Sequence, residues 1–202
     1  MEIYIIRHGE TYWNEKGLFQ GSADIELNEN GRELAGITGR QLEHTHFDII
    51  YSSPLIRAYE TACLVRGYRN IPIIRDERLK ELNFGINEGK RAEDLFADES
   101  HPFHYFFQHP ELYQPVEGGE TLEHICQRTR EFMQQVVEPK ETEWERILIA
   151  GHGAMNKAIM CYVKQHDLSQ YWSGGLQQNC NVIILSFKNG HYEVLDEGRI
   201  YY

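Results

Sequence analysis

An α/β fold, with a mostly parallel sheet covered on both faces, follows from three features of this 202-residue chain. Short apolar runs of strand-like composition recur along it. Segments with helical periodicity separate most of them. An Asn-Gly link joins the last two runs. Parallel strands need crossover connections of helix length, so strands interleaved with helices place those helices on the two faces of the sheet.

Residues 3–6 are apolar and β-prone and read as a buried strand that stops at Arg7-His8-Gly9. A polar stretch follows over residues 10–29, punctuated by Gly17 and Gly21. Asn28 is a good N-cap for a helix to about residue 43, with Leu34, Thr38 and Leu42 on one face. Residues 47–51 read as a second strand. Ser53-Pro54 then reads as an N-cap with proline at the first helical position. Residues 71–74 form another strand candidate, which Pro72 assigns to an edge. Residues 86–118, rich in aromatics and prolines, break the alternation and read as an insertion over one end of the sheet. From Thr121 a helical face returns through Leu122, Ile125, Cys126, Thr129, Phe132, Met133, Val136 and Val137. A strand over 146–150 ends at Gly151-His152-Gly153, and a helix over 154–165 follows. Strands over 182–187 and 192–195, joined at Asn189-Gly190, form a hairpin with a type I′ signal.

The composition narrows the function classes. Asp and Glu total 31 against 20 Lys and Arg, a net charge of −11, which argues against nucleic acid. No apolar run approaches a membrane span, and no basic segment precedes the first strand, so a cytoplasmic protein is expected. None of the four cysteines forms a C-x-x-C pair, which suits buried free thiols in a reducing compartment. His44, His46, His101, His104 and His109 have no carboxylate or cysteine pattern to complete a metal site, so neither metal nor cofactor is expected.

Two strands end in the same way, with histidine, then glycine, then the lead into a helix. In an open α/β sheet, ligands bind in the crevice beyond the strand carboxyl ends. Arg7, His8 and His152 would meet there, and Arg57 joins them from the first turn of its helix. A guanidinium fork suits phosphate oxygens, and neutral imidazole is a nucleophile near neutral pH. The combination suits phosphoryl transfer to His8, with Arg7, Arg57 and protonated His152 holding the oxygens and Glu81 giving and taking the proton. Each residue alone has a duller explanation, such as Arg57 pairing with Glu60 or Glu77. The case rests on their conjunction.

The motifs resemble those of the histidine phosphatase superfamily, in its phosphoglycerate-mutase-like branch. Ile6-Arg7-His8-Gly9-Glu10-Thr11 with Asn14 is similar to its R-H-G-x-T-x-x-N opening, and Gln20-Gly21-Ser22-Ala23-Asp24 with Leu27 to the continuation. Ser53-Pro54-Leu55-Ile56-Arg57-Ala58, Leu79-Lys80-Glu81, Gly118-Gly119-Glu120-Thr121 and Gly151-His152-Gly153 match later landmarks in order. The resemblance implies one domain over residues 1–202, with 86–118 a lid-like insertion. It implies a three-layer α/β/α sandwich whose mostly parallel central sheet has an antiparallel edge strand. It makes His8 the phosphohistidine, Arg7, Arg57 and His152 the phosphate pocket, and Glu81 the proton donor. Asn14, Gln20, Gly21 and the Gly153 amide would approach the substrate.

Residues 86–89, Ile-Asn-Glu-Gly, depart from the W-x-G that many such phosphatases carry after the glutamate loop. Residues 92–117 hold no Lys or Arg, but include Phe96, Phe103, Tyr105, Phe106, Phe107 and Tyr113. The mutases of this branch place an arginine pair there for a second acidic group. The expectation is therefore a small-molecule phosphomonoester with a neutral, aromatic or sugar-like body, nucleoside-like esters included. The same aromatics would also serve simply to pack the lid. The alternatives are a cofactor-dependent phosphoglycerate mutase and a catalytically silent phospho-ligand binding module. The oligomeric state is not legible.

Overall fold

The computed structural model describes residues 1–202. Strand β1 (Glu2–Arg7) leads through a short helix α1 (Tyr12–Glu15) to α2 (Glu29–Gln41), β2 (Ile49–Ser52), α3 (Ile56–Arg66) and β3 (Ile73–Arg75). Residues 86–118 carry only α4 (Ala92–Ala97) and single 3-10 turns. Then come α5 (Leu122–Phe132), β4 (Arg146–Gly151), α6 (Gly153–Lys164), β5 (Val182–Lys188) and β6 (His191–Arg199).

The six strands form one sheet in the order β3-β2-β4-β1-β5-β6. The β1–β4, β4–β2 and β2–β3 pairs are parallel; β5 is antiparallel to both β1 and β6. Side-chain alternation divides the core. Ile3, Ile5, Ile147 and Ile149 face α5, α6 and the core residues of 95–113, and Ile6, Leu148 and Ala150 face α2 and α3. The result is the expected three-layer sandwich. No helix is long and apolar enough to cross a membrane.

Most elements lie where the sequence places them, with shifted ends. Asn28 caps α2, its side chain accepting from the Gly31 amide. Asn189 and Gly190 both have positive φ, 52° and 78°, as a type I′ link needs. β3 lies at one edge of the sheet, as Pro72 implies. Helix α1 is absent from the sequence reading. It is held by a capping box in which Asn14 stands at N3 in place of the usual Glu or Gln. Helix α3 does not begin at Ser53-Pro54. The Ser53 hydroxyl accepts from the Leu55 amide in a tight turn, Leu55 stays extended, and the helix starts at Ile56. Its cap comes from outside, since the Asp24 carboxylate accepts from the Ile56 amide at 2.7 Å.

Candidate active site

The parallel register brings the two His-Gly corners together. Arg7 pairs with Gly151 across β1 and β4, and the His8 amide donates to the Gly151 carbonyl at 2.9 Å. The imidazoles of His8 and His152 therefore stand side by side, ring centroids 5.2 Å apart. Helix α2 packs directly on the first corner. A Cβ at Gly9 would lie 2.5 Å from the Gly31 carbonyl oxygen, so neither glycine tolerates a side chain.

A cavity of about 230 Å³ opens over this corner. Arg7, His8, Arg57 and Glu81 line its floor, and Asn14, Gln20, Gly21 and Gly153 its sides. His152, fully buried, stands beside His8. Each expected site residue is thus at or next to one cavity.

The floor is built from buried, tethered charges. Arg57 is completely buried and donates to the Gly21 and Ala23 carbonyls, both at 2.7 Å. It pairs with neither Glu60 nor Glu77, since Glu60 is bound by Arg32. Arg7 donates to the Gln177 carbonyl at 2.5 Å. Burial lowers both guanidinium pKa values, that of Arg57 to about 10, so both stay cationic at neutral pH. The Nε of each arginine and both ring nitrogens of His152 are buried and find no partner in the protein. Buried donors without partners are rare, and a cluster of them around one cavity suits an oxyanion.

The Nδ1 of His8 lies 2.7 Å from the Gly9 carbonyl. That contact assigns the proton to Nδ1 and leaves the Nε2 lone pair free. Burial, then Arg57 and Arg7, hold the His8 pKa well below the ordinary histidine value. The same forces act on His152, with His8 adding to them. Burial among cations thus disfavours the charged form of His152 in the free protein.

Glu81 is fixed by the first turn of α6. Its two carboxylate oxygens accept from the Ala154 and Met155 amides at 3.1 and 2.9 Å. The free N–H groups of a helix start thereby orient a carboxyl at the cavity edge.

Sequence reasoning missed several residues. The Asn179 side chain donates to the His8 carbonyl at 2.9 Å. Gln177, whose carbonyl holds Arg7, has its own side chain clamped by Asn156 and by the Ile5 and Asn181 carbonyls. Neither belongs to a motif with a mechanical signature; polar residues before a strand were the only signal. The rest of the lining is largely apolar, with Phe96, Phe106 and Phe107 from residues 86–118 packed against Phe19 and Trp172, and Leu176 beside them. Phe103, Phe106 and Tyr113 are also core residues. The aromatics of residues 86–118 therefore both fill the core and shape the cavity.

This sandwich, with paired histidines at two strand ends, defines the class. The family model for the histidine phosphatase superfamily (branch 1) matches residues 3–198, and the chain belongs to that superfamily. It is 30% identical over 176 residues to phosphoserine phosphatase 1 of Hydrogenobacter thermophilus, covering 87% of this chain and 82% of that one. A 2,3-bisphosphoglycerate-dependent phosphoglycerate mutase of Cytophaga hutchinsonii is 34% identical over 166 residues, 81% of this chain and 77% of its own. Among solved structures, Bacillus stearothermophilus YhfR superposes with a TM-score of 0.91 at 38% identity, covering 98% of this chain and 97% of that one.

Proposed function

We propose that this chain is a phosphomonoester hydrolase that works through a phosphohistidine at His8. The observation that carries this reading is the pair of imidazoles 5.2 Å apart, flanked by two buried arginines and a tethered carboxyl. His8 Nε2 attacks phosphorus, the bond from phosphorus to the ester oxygen breaks, and Glu81 gives that oxygen a proton. Water then attacks the phosphohistidine, Glu81 takes its proton, and the P–N bond breaks to release phosphate. Arg7, Arg57 and the Gly153 amide hold the equatorial oxygens, and the incoming dianion draws a proton onto His152. The route uses side-chain cations and needs no metal.

The body of the ester is apolar, aromatic or sugar-like. Beyond Arg7 and Arg57 the cavity is lined by no Lys or Arg, and about half of its lining is aromatic or aliphatic, Phe19, Phe96, Phe106, Phe107, Trp172 and Leu176 among it. A second anionic group would be desolvated there without a partner. The phosphoserine phosphatase and mutase relatives act, by their names, on substrates that do carry one. A mutase would retain and return the phosphoryl group.

Rapid quenching during turnover tests the intermediate. A phosphoryl group on the peptide containing His8, with steady release of inorganic phosphate, is expected. Isomerised product without net phosphate release would identify a mutase. Ligand binding with neither outcome would identify a silent module. A substrate panel tests the body, and the reading fails if 2,3-bisphosphoglycerate or phosphoserine gives the highest kcat/KM.

A further inference from the structure

One residue of the apolar lining, outside the motifs above, is bonded to residues 86–118 and adjoins the turn that holds Glu81. Trp172 lies in the loop between α6 and β5, half-buried, with its indole in the cavity wall. Its Nε1 donates to the Phe106 carbonyl of the lid at 2.6 Å. Its ring meets those of Phe106 and Phe107 with centroids 5.1 and 4.8 Å away. Its neighbour Tyr171 is buried and donates its hydroxyl to the Ala154 carbonyl at 2.7 Å. The Ala154 amide in turn holds Glu81. One dipeptide therefore joins the lid to the turn that positions the acid.

We propose that Trp172 is the specificity-determining residue of this site: its indole face is the fixed wall on which the substrate body packs, and its N–H latches the lid above that body. The inference rests on the apolar-body reading and deepens it. Three observations support it. The indole N–H bonds the lid backbone, so the bond survives changes in the lid's side chains. The indole packs edge-on against the buried Tyr171 ring, their centroids 5.0 Å apart. Phe96 and Phe107, by contrast, project from the insertion itself. A rigid aromatic wall favours a planar body by dispersion and offset stacking, and gives a short aliphatic chain little.

Two substitutions separate wall from latch. Trp172→Phe keeps an aromatic face and loses the donor; Trp172→Ala loses both. The measurement is kcat/KM for 1-naphthyl phosphate against propyl phosphate. Wild-type protein is expected to prefer the naphthyl ester. Trp172→Ala should reduce that preference about tenfold, mainly through KM. Trp172→Phe should keep most of it while raising KM for both esters. A second readout needs no turnover. Trp13 and Trp144 are the other two tryptophans. In a Trp13→Phe/Trp144→Phe protein, benzylphosphonate should shift Trp172 emission, and inorganic phosphate should not. An unchanged preference in Trp172→Ala with the wild-type preference intact, or emission blind to benzylphosphonate, overturns the role of Trp172 alone. A wild-type protein without the preference overturns the apolar-body reading and this inference with it.

Discussion

The two halves of the cavity are built on different principles. The phosphate half is made of strand ends and helix starts. Its charged groups are buried and tethered by backbone: Arg57 by the Gly21 and Ala23 carbonyls, Arg7 by Gln177, Glu81 by the start of α6. The apolar half, where the proposal places the substrate body, is drawn from residues 86–118 and from the segments around Phe19 and Trp172, and its side chains meet through ring contacts of about 5 Å and one indole hydrogen bond. Tethered charge fixes chemistry, because a guanidinium misplaced by an ångström weakens transition-state stabilisation. Apolar contact sets preference, because it is graded in area and tolerant of shape. One fold can therefore keep a reaction and change its substrates by altering residues 86–118 and the loop after α6.

The largest expected effect breaks the phosphate half outright. His8→Ala removes the nucleophile, and kcat should fall by more than about 1,000-fold on every ester. Binding of benzylphosphonate should survive, because the body half is untouched. If His8→Ala turns over near the wild-type rate, the two halves do not divide chemistry from binding as argued.

Glu81→Gln should act next most strongly, and unevenly. For alkyl esters, whose leaving oxygen needs a proton, a loss on the order of 100-fold is expected. p-Nitrophenyl phosphate, with a leaving group that needs little protonation, should lose much less. Equal losses on both would show that the carboxyl only props the start of α6, to which it is bonded.

The same contrast governs what could be read from the sequence. The phosphate half was legible because its geometry follows from local pattern. Two strands end in His-Gly, parallel register aligns Arg7 with Gly151, and the corners meet. The Asn189-Gly190 hairpin was legible for a similar reason, since only a short menu of links has two positive φ values. What failed depended on distant partners. The start of α3 moved because Asp24, far back in the chain, supplies the cap that Ser53 was expected to give. The lowered pKa of His152 in the free protein was not legible either, because burial beside Arg57 and His8 is a tertiary fact. Gln177, Asn179 and Trp172 carry no spacing or periodicity that marks them, and only packing shows what they hold.

The smallest expected effect is on stability, and it isolates the phosphate half again. His8 and His152 are buried with pKa values pushed well below about 6.5, the value they regain on unfolding. Below that pH the unfolded chain binds protons that the folded chain refuses, so stability falls with falling pH. The slope is at most about 1.4 kcal/mol per pH unit for each ring. The paired carboxylates behave differently. Asp76, held down by Arg78, and Glu120, held down chiefly by Arg128, lose their contribution only as pH falls through the lower carboxylate range. Between about pH 6.5 and pH 5 the histidines therefore dominate. The melting temperature of the free protein should drop across this window. His152→Gln should make the drop shallower, and saturating inorganic phosphate should do the same by favouring the protonated ring. Trp172→Ala, altering only the apolar half, should leave the slope as it is. A slope unchanged in His152→Gln would mean that this ring is not the buried neutral group on which the phosphate half depends.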